Sequence, residues 1–346
     1  ASVGHHYLEE EKSSWRAAFI AGAGGGVLMV LATLIKYQLA EWKLPTFYEG
    51  IVFSLNYASA FCAAYLLHCT IATKLPAHTA AALAGSVQAP TGHGKRLARF
   101  LEIWRATVRL QLAGLLGNVV VAGPLAYALG LGARHALGWH FLSVHAAEHV
   151  LQANSLLGPS ALYAAITGLF LWLSSLAGAA ADNWTRVTRL RERLSTNVYV
   201  MRRLGPKRAR PIAEWWVERV GGLVSNVALG FLLGAVPAGF AIAQLPVEIR
   251  HITVSASSVA LAWAEGAGTG AERSLAPAGV LVSGTVNVAV SCSLSLQFAL
   301  SASAAHSHGA ARALVKIAIA RWLGRRHPLR PRKPKTLPRT PDAMPA

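Results

Sequence analysis

Polar and apolar positions along this chain fall into blocks, without the short alternations of a soluble fold. Apolar residues run nearly unbroken over 17–34, 50–72, 108–131, 160–181, 220–243 and 276–301. A helix needs about 20 such residues to cross roughly 30 Å of hydrocarbon. Inside lipid, long apolar segments must be helical, because nothing else satisfies their backbone amides. A seventh block, 252–264 (ITVSASSVALAWA), is shorter and rich in Ser and Thr. Such a segment suits a short or re-entrant helix, tolerated where protein or a cavity surrounds it. The predicted fold class is all-α: a polytopic helical membrane bundle with six full transmembrane spans plus one short or re-entrant helix (252–264). A seven-span arrangement is the alternative.

Composition strengthens this reading. The chain is 53% hydrophobic and 14% charged, with a mean hydropathy of +0.40; soluble domains carry about a quarter of their residues as charged ones. Cys62, Cys69 and Cys292 all sit in apolar blocks and read as small packing residues. The chain begins at Ala1, and no basic stretch or small-residue cleavage site precedes the first block, so no signal peptide is expected.

Charge placement adds orientation. The net charge is +18. Residues 182–219 hold ten Lys/Arg against four acids, residues 309–346 hold ten more against Asp342, and 73–105 add five. The intervening segments 35–49, 132–159 and 244–251 carry two, one and one. Basic loops stay in the cytoplasm. The chain is therefore expected in a bacterial inner membrane with both termini cytoplasmic. Residues 1–16 form a cytoplasmic lead-in, 17–305 the transmembrane domain with its basic loop 182–219, and 306–346 a basic, Pro-rich cytoplasmic tail.

Several polar residues fall inside apolar blocks: Asn56 and His68, Asn118, Asn226, Asn287 and Gln297. Amides in hydrocarbon are costly unless bonded, so they are expected to face the bundle interior, as interhelical bridges or as the lining of a polar path. His68 is the proton-relay candidate of the set. Small residues four apart (Ala113/Gly117, Ala164/Gly168, Ser174/Gly178, Gly230/Gly234) predict a tight bundle or a homo-oligomer face. Pro124 and Pro237 should kink their spans.

The basic loop presents Arg186, Arg189, Arg191, Arg202, Arg203, Lys207 and Arg208. Beside a membrane its expected partner is anionic lipid headgroups. Nucleic acid is the alternative, although no reading motif accompanies the charge. A faint internal echo links LPTFYEGIVFSLNYASA (44–60) with LPVEIRHITVSASSVA (245–260), and GLLGNVVV (114–121) with GLVSNVAL (222–229). Weak repeats with broken helices in matching places are a transporter signature.

HAAEH (145–149) has the spacing of an inverted zinc-protease motif. Ser143 should cap a short helix running to about Asn154, which puts His145 and His149 on one face. A zinc site needs further ligands. Asp182 lies a membrane thickness away, leaving His135, His140, Glu248 and His251 as the residues able to complete one. An amphipathic surface helix is the expected form, and no cofactor is expected.

The stretch GGGVLMVLATLIKYQLAEWKLPTFYEGIVFSLNYASAFCAAYLLHCTIATKLPAHTAAALA (24–84) resembles the membrane region of the proteobacterial gonococcal-type site-specific recombinase family. The resemblance continues through QLAGLLGNVVVAGP (111–124), LSSLAGAAADNW (173–184) and LPVEIRHITVSASS (245–258). Its most specific motifs lie at 55–57, 72–74 and 182–184. Members of that family are longer, with an amino-terminal region ahead of this part. The resemblance implies an inner-membrane protein with a role in DNA recombination. Strand exchange needs a Ser or Tyr nucleophile among clustered Arg and His in water. Only Ser195 and Tyr199 have arginine neighbours in an aqueous loop, and they lack the rest of that constellation. The residues themselves favour a transport, channel-like or anchoring role.

Overall fold

The computed structural model describes residues 15–71, 77–88 and 93–303. The tail 306–346 and all but the end of the 1–16 lead-in lie outside the described residues. Eleven helices occur among them: α1 Trp15–Ala40, α2 Thr46–Leu66, α3 Ala77–Gln88, α4 His93–Leu137, α5 Val144–Ala153, α6 Ser160–Val187, α7 Leu190–Ser195, α8 Val198–Leu204, α9 Pro206–Ile242, α10 Ile252–Ala264 and α11 Gly270–Ser303. Five of them, α1, α4, α6, α9 and α11, are long and apolar enough to cross a membrane. The span predicted at 50–72 is not in that group. Its helix α2 has 21 residues, but Glu49, Ser54, Asn56 and Tyr48, Tyr57 and Tyr65 dilute its apolar content.

Two spans are much longer than their apolar blocks. α4 begins at His93 and α9 at Pro206, so each projects well beyond a bilayer on one side. Both run through their internal prolines, Pro124 and Pro237, as single helices. The packing closes a circuit: α4 lies on α1, α1 on α2, α2 on α9, α9 on α6, α6 on α11, α11 on α10, and α10 returns to α4. All four small-residue pairs are engaged within this circuit. Gly117 faces the Phe19 carbonyl of α1, Gly168 faces Val290 of α11, Gly178 faces Gly221 of α9, and Gly230 and Gly234 face Ala58 and Ser54 of α2. A Cβ at Gly117 or Gly230 would collide with backbone, so these helices approach as closely as backbones can.

α10 enters and leaves at one end of the bundle. α9 closes in a turn where the Leu245 amide donates to Phe240 O (2.8 Å) and the Gln244 amide to Ala241 O (3.0 Å), with Gln244 left-handed at φ 56°. The chain then runs without helix to His251. The Tyr163 hydroxyl donates to Pro246 O, and the Arg250 amide to Thr167 Oγ1 (3.0 Å). Tyr163 and Thr167 are one turn apart on α6, so the segment descends about 6 Å along that helix. Ile252 packs against Gly284, about 21 Å along α11 by its rise per residue. From there α10 climbs back to the last turns of α4, where Ala264 meets Gly130 and accepts from Arg134 Nη1 (2.9 Å).

A helix placed this way is buried on every side. All of α10 except Val254 and Trp263 is buried. Ile252, Ala256, Val259, Ala260, Leu261 and Ala262 form one core with Val30 of α1, Ala122 and Ala126 of α4, Ala147 and Leu151 of α5 and Val280 of α11. A second core joins Met29, Tyr57, Phe61, Leu171, Leu229 and Leu233 from α1, α2, α6 and α9. Large apolar side chains such as Leu31, Ile35, Leu112, Leu116, Val120 and Leu162 stay exposed around the bundle, as a lipid-facing belt requires.

Candidate functional site

The end of the bundle where α10 enters contains a cavity of about 500 Å³. Its walls are the last turns of α1 (Lys36, Tyr37), the first turns of α2 (Glu49, Phe53), the α5 face carrying His145 and His149, the descending segment Glu248–Arg250 and the start of α10 (Ser255, Ser258). The HAAEH helix is thus a wall of this cavity. Ser143 caps it as expected, accepting from the Ala146 amide at 3.2 Å. Ala147 and Leu151 point into the core, while His145 and His149 are exposed on the cavity side.

Glu248 does fold against this helix, its Oε1 lying 3.7 Å from His149 Nε2. Its other oxygen accepts from Arg250 Nη2 at 2.6 Å. Among the described residues, no group of three or more His, Cys, Asp or Glu could hold a metal ion. The carboxylate that approaches the pair His145 and His149 is itself bonded to a guanidinium.

Arg250 is the pivot of the site and is 5% exposed. Its Nε donates to Ala153 O (3.0 Å), its Nη1 to Ile249 O (3.0 Å) and its Nη2 to Glu248, and its guanidinium lies 5.5 Å from the Tyr163 ring centroid. Ala153 is the last residue of α5, so the cation also meets the negative end of that helix. The far end of α10 is held in the same manner. Glu265 accepts from the Phe141 amide (3.0 Å) and pairs with His140 Nδ1 (2.6 Å). Arg273 donates to Ala267 O and Gly266 O, both at 3.0 Å.

Lys36 contrasts with these satisfied ions. It makes no ion pair among the described residues, and its Nζ lies over the rings of Tyr37 (5.3 Å) and Phe53 (5.6 Å). Neither Lys36 nor Arg250 stood out in the sequence as a site residue. The available signal was that each is a rare cation in a segment otherwise poor in them.

The intramembrane polar candidates do not gather at the cavity. Asn56 Nδ2 donates to Ala32 O of α1 (2.8 Å). Asn118, fully buried, donates to Thr70 O (2.9 Å) and Gly114 O (2.8 Å). Asn287 donates to Ala164 O (2.8 Å), and Asn226 is half-buried on α9. Gln297 is exposed, contrary to the expectation that it faces inward. His68 lies past the end of α2, exposed, at φ 56°. The His68 amide donates to Tyr65 O and the Cys69 amide to Ala64 O, so His68 is the left-handed residue that terminates the helix.

At the opposite end, Arg186, Arg189, Arg191, Arg202, Arg203, Lys207 and Arg208 are all exposed around α7, α8 and the start of α9. Arg191 hydrogen-bonds Glu214, which holds its guanidinium above the ordinary arginine range. Tyr199 is 82% exposed, and Ser195 Oγ donates to Glu192 O of its own helix.

Five long apolar helices packed in a circuit with α2 and the buried α10 define a multi-pass helical membrane protein. A family model described as Site-specific recombinase matches residues 1–330, and the chain belongs to that family. No curated protein and no solved structure matches it.

Proposed function

We propose that this protein is a transport or channel-like inner-membrane protein that admits a small solute to the cavity beside α10. The observation that carries this reading is the extended segment 246–251 at membrane depth. Backbone without helix is tolerated there only against protein or a water-filled cavity. In carriers, broken helices of this kind form the binding site. A cavity of about 500 Å³ is of small-molecule size and too small for a DNA duplex. In this reading α2 is the sixth crossing. The Thr70 amide bonds Ala21 O, about 28 Å below Ala40 by helical rise, so α2 spans the depth of α1. Six crossings and a re-entrant α10 would leave both termini on one side, and the basic segments support assigning that side to the cytoplasm and the cavity to the outer side. The basic end, with exposed Trp215, Trp216 and Tyr199 among its arginines, suits an interfacial platform on anionic lipid.

Proteoliposomes test the reading. Uptake from pooled radiolabelled amino acids and small phosphate esters is expected, and a cavity-filling Ala146→Trp variant should abolish it. Uptake indistinguishable from protein-free vesicles for every solute would overturn the carrier reading.

The family description favours a second reading, a factor in DNA recombination whose nucleophile is Ser195 or Tyr199. It predicts loss of recombination for Tyr199→Phe or Ser195→Ala. Wild-type recombination by both variants excludes these nucleophiles.

A further inference from the structure

The charged groups lining the cavity differ in what already occupies them. Arg250 spends its guanidinium on Ala153 O, Ile249 O and Glu248. Glu248 is shared between Arg250 and His149. Both are thus largely committed within the protein, with three of the five Arg250 N–H donors used. Lys36 is less committed: an ammonium carries three donors, its Nζ lies over two aromatic rings without an ion pair among the described residues, and Arg250, Glu248 and Glu49 act on it only from longer range. Rings attract the cation but accept no strong hydrogen bond.

The second available group is Glu49. It lines the same cavity, is half-buried, and makes no ion pair among the described residues. Glu49 and Phe53 are four residues apart on α2 and share a face, roughly 6 Å between Cβ atoms. Because Phe53 is one of the rings under Lys36 Nζ, the free carboxylate stands one turn from the free ammonium. The same cavity is lined by the rings of Phe53 and Phe141 and by Ser255 and Ser258. A lysine reaching only for bulk water would be expected to extend past the end of α1. Lys36 instead folds over Phe53 of the neighbouring helix.

We infer that the cavity binds a small zwitterion, resting on the solute-site reading above. The carboxylate or phosphate of the ligand sits on Lys36 Nζ, its primary ammonium faces Glu49, and its methylenes pack on Phe53 and Phe141. Placing both ends in one partly dry site makes each charge pair stronger than it would be in water. Free amino acids and the phosphoethanolamine headgroup of a lipid share this chemistry.

The test uses the full chain in nanodiscs of phosphatidylglycerol alone, titrated by calorimetry with glycerophosphoethanolamine, glycine, ethanolamine and glycerol 3-phosphate. At least one zwitterion should bind tenfold or more tightly than ethanolamine or glycerol 3-phosphate. Lys36→Met should weaken the zwitterion and glycerol 3-phosphate tenfold or more while leaving ethanolamine unchanged, and Lys36→Arg should restore binding within a few-fold. Glu49→Gln should weaken the zwitterion and ethanolamine but leave glycerol 3-phosphate unchanged. Size-exclusion profiles matching wild type certify that each variant is folded. Glycine binding assigns the site to a free solute. Binding of glycerophosphoethanolamine alone, with one phosphatidylethanolamine retained from mixed micelles and lost in Lys36→Met, assigns it to a lipid headgroup. Zwitterion binding that Ala146→Trp abolishes but Lys36→Met leaves intact would overturn the charge assignment and keep the cavity reading. Absence of binding by all four probes overturns the inference, and only the flux measurement bears on the carrier reading.

Discussion

The chain makes the same turn twice and leaves it in two different ways. Just past α1 and α9 the chain reaches a left-handed, non-glycine residue followed by Leu-Pro: Lys43 (φ 50°) before Leu44-Pro45, and Gln244 (φ 56°) before Leu245-Pro246. After Pro45 a helix starts at once, and Glu49 in its first turn favours the positive end of α2. After Pro246 the backbone stays non-helical through His251. The difference lies in what the neighbours supply. α2 inserts against the small-residue face of α9, so its backbone can bond to itself. The 246–251 segment meets Tyr163 and Thr167 of α6 and the C-terminal carbonyl of α5 through Arg250, which replace the hydrogen bonds a helix would have made.

Removing that replacement should collapse the second turn and spare the first. Arg250→Ala strips partners from Glu248 and Ala153 O and is expected to cost about 2–3 kcal/mol, read by SDS unfolding of the purified protein. A wild-type midpoint would show that the guanidinium does not hold the segment. Thr167→Val removes the acceptor of the Arg250 amide together with the hydroxyl's own bond to Tyr163 O, with an expected loss of about 1–2 kcal/mol, and Thr167→Ser should recover most of it. The smallest effect probes the likeness itself. Lys43→Gly and Gln244→Gly each relieve a left-handed side chain and should stabilise by about 0.5–1 kcal/mol. Equal gains would mark the two turns as equivalent, and a gain at one alone would show that their resemblance ends at the backbone angle.

Much of the bundle was readable in the apolar blocks, and the bounds of α10 coincide with its Ser/Thr-rich run because both flanks change character sharply. The helix ends were less readable. α4 and α9 continue through charged residues that still form good helix outside the apolar window, whereas α2 stops at Leu66 because His68 adopts a left-handed angle that hydropathy does not register. The two internal echoes also separate. The Leu-Pro pair has a structural counterpart, but 114–121 falls in α4 and 222–229 in α9, at a different offset, so one repeat cannot contain both matches. The site was the least legible part. Arg250 takes its partners from positions 83 and 97 residues away, and Lys36 meets Phe53 across a helix boundary, so neither contact leaves a local pattern. The HAAEH spacing and its Ser143 cap were visible, but the approach of Glu248 to His149 from 99 residues away was not.

The burial of α10 also fixes an order of assembly. Its walls on α1, α4 and α5 precede it in the chain, but its remaining wall is α11, which follows it. Until α11 inserts and packs on α6, a serine-rich helix and the non-helical segment 246–251 stand open on one flank. A chain that stalls before Gly270 would carry this unsealed segment into the membrane, where quality-control proteases select exposed, poorly packed polypeptide.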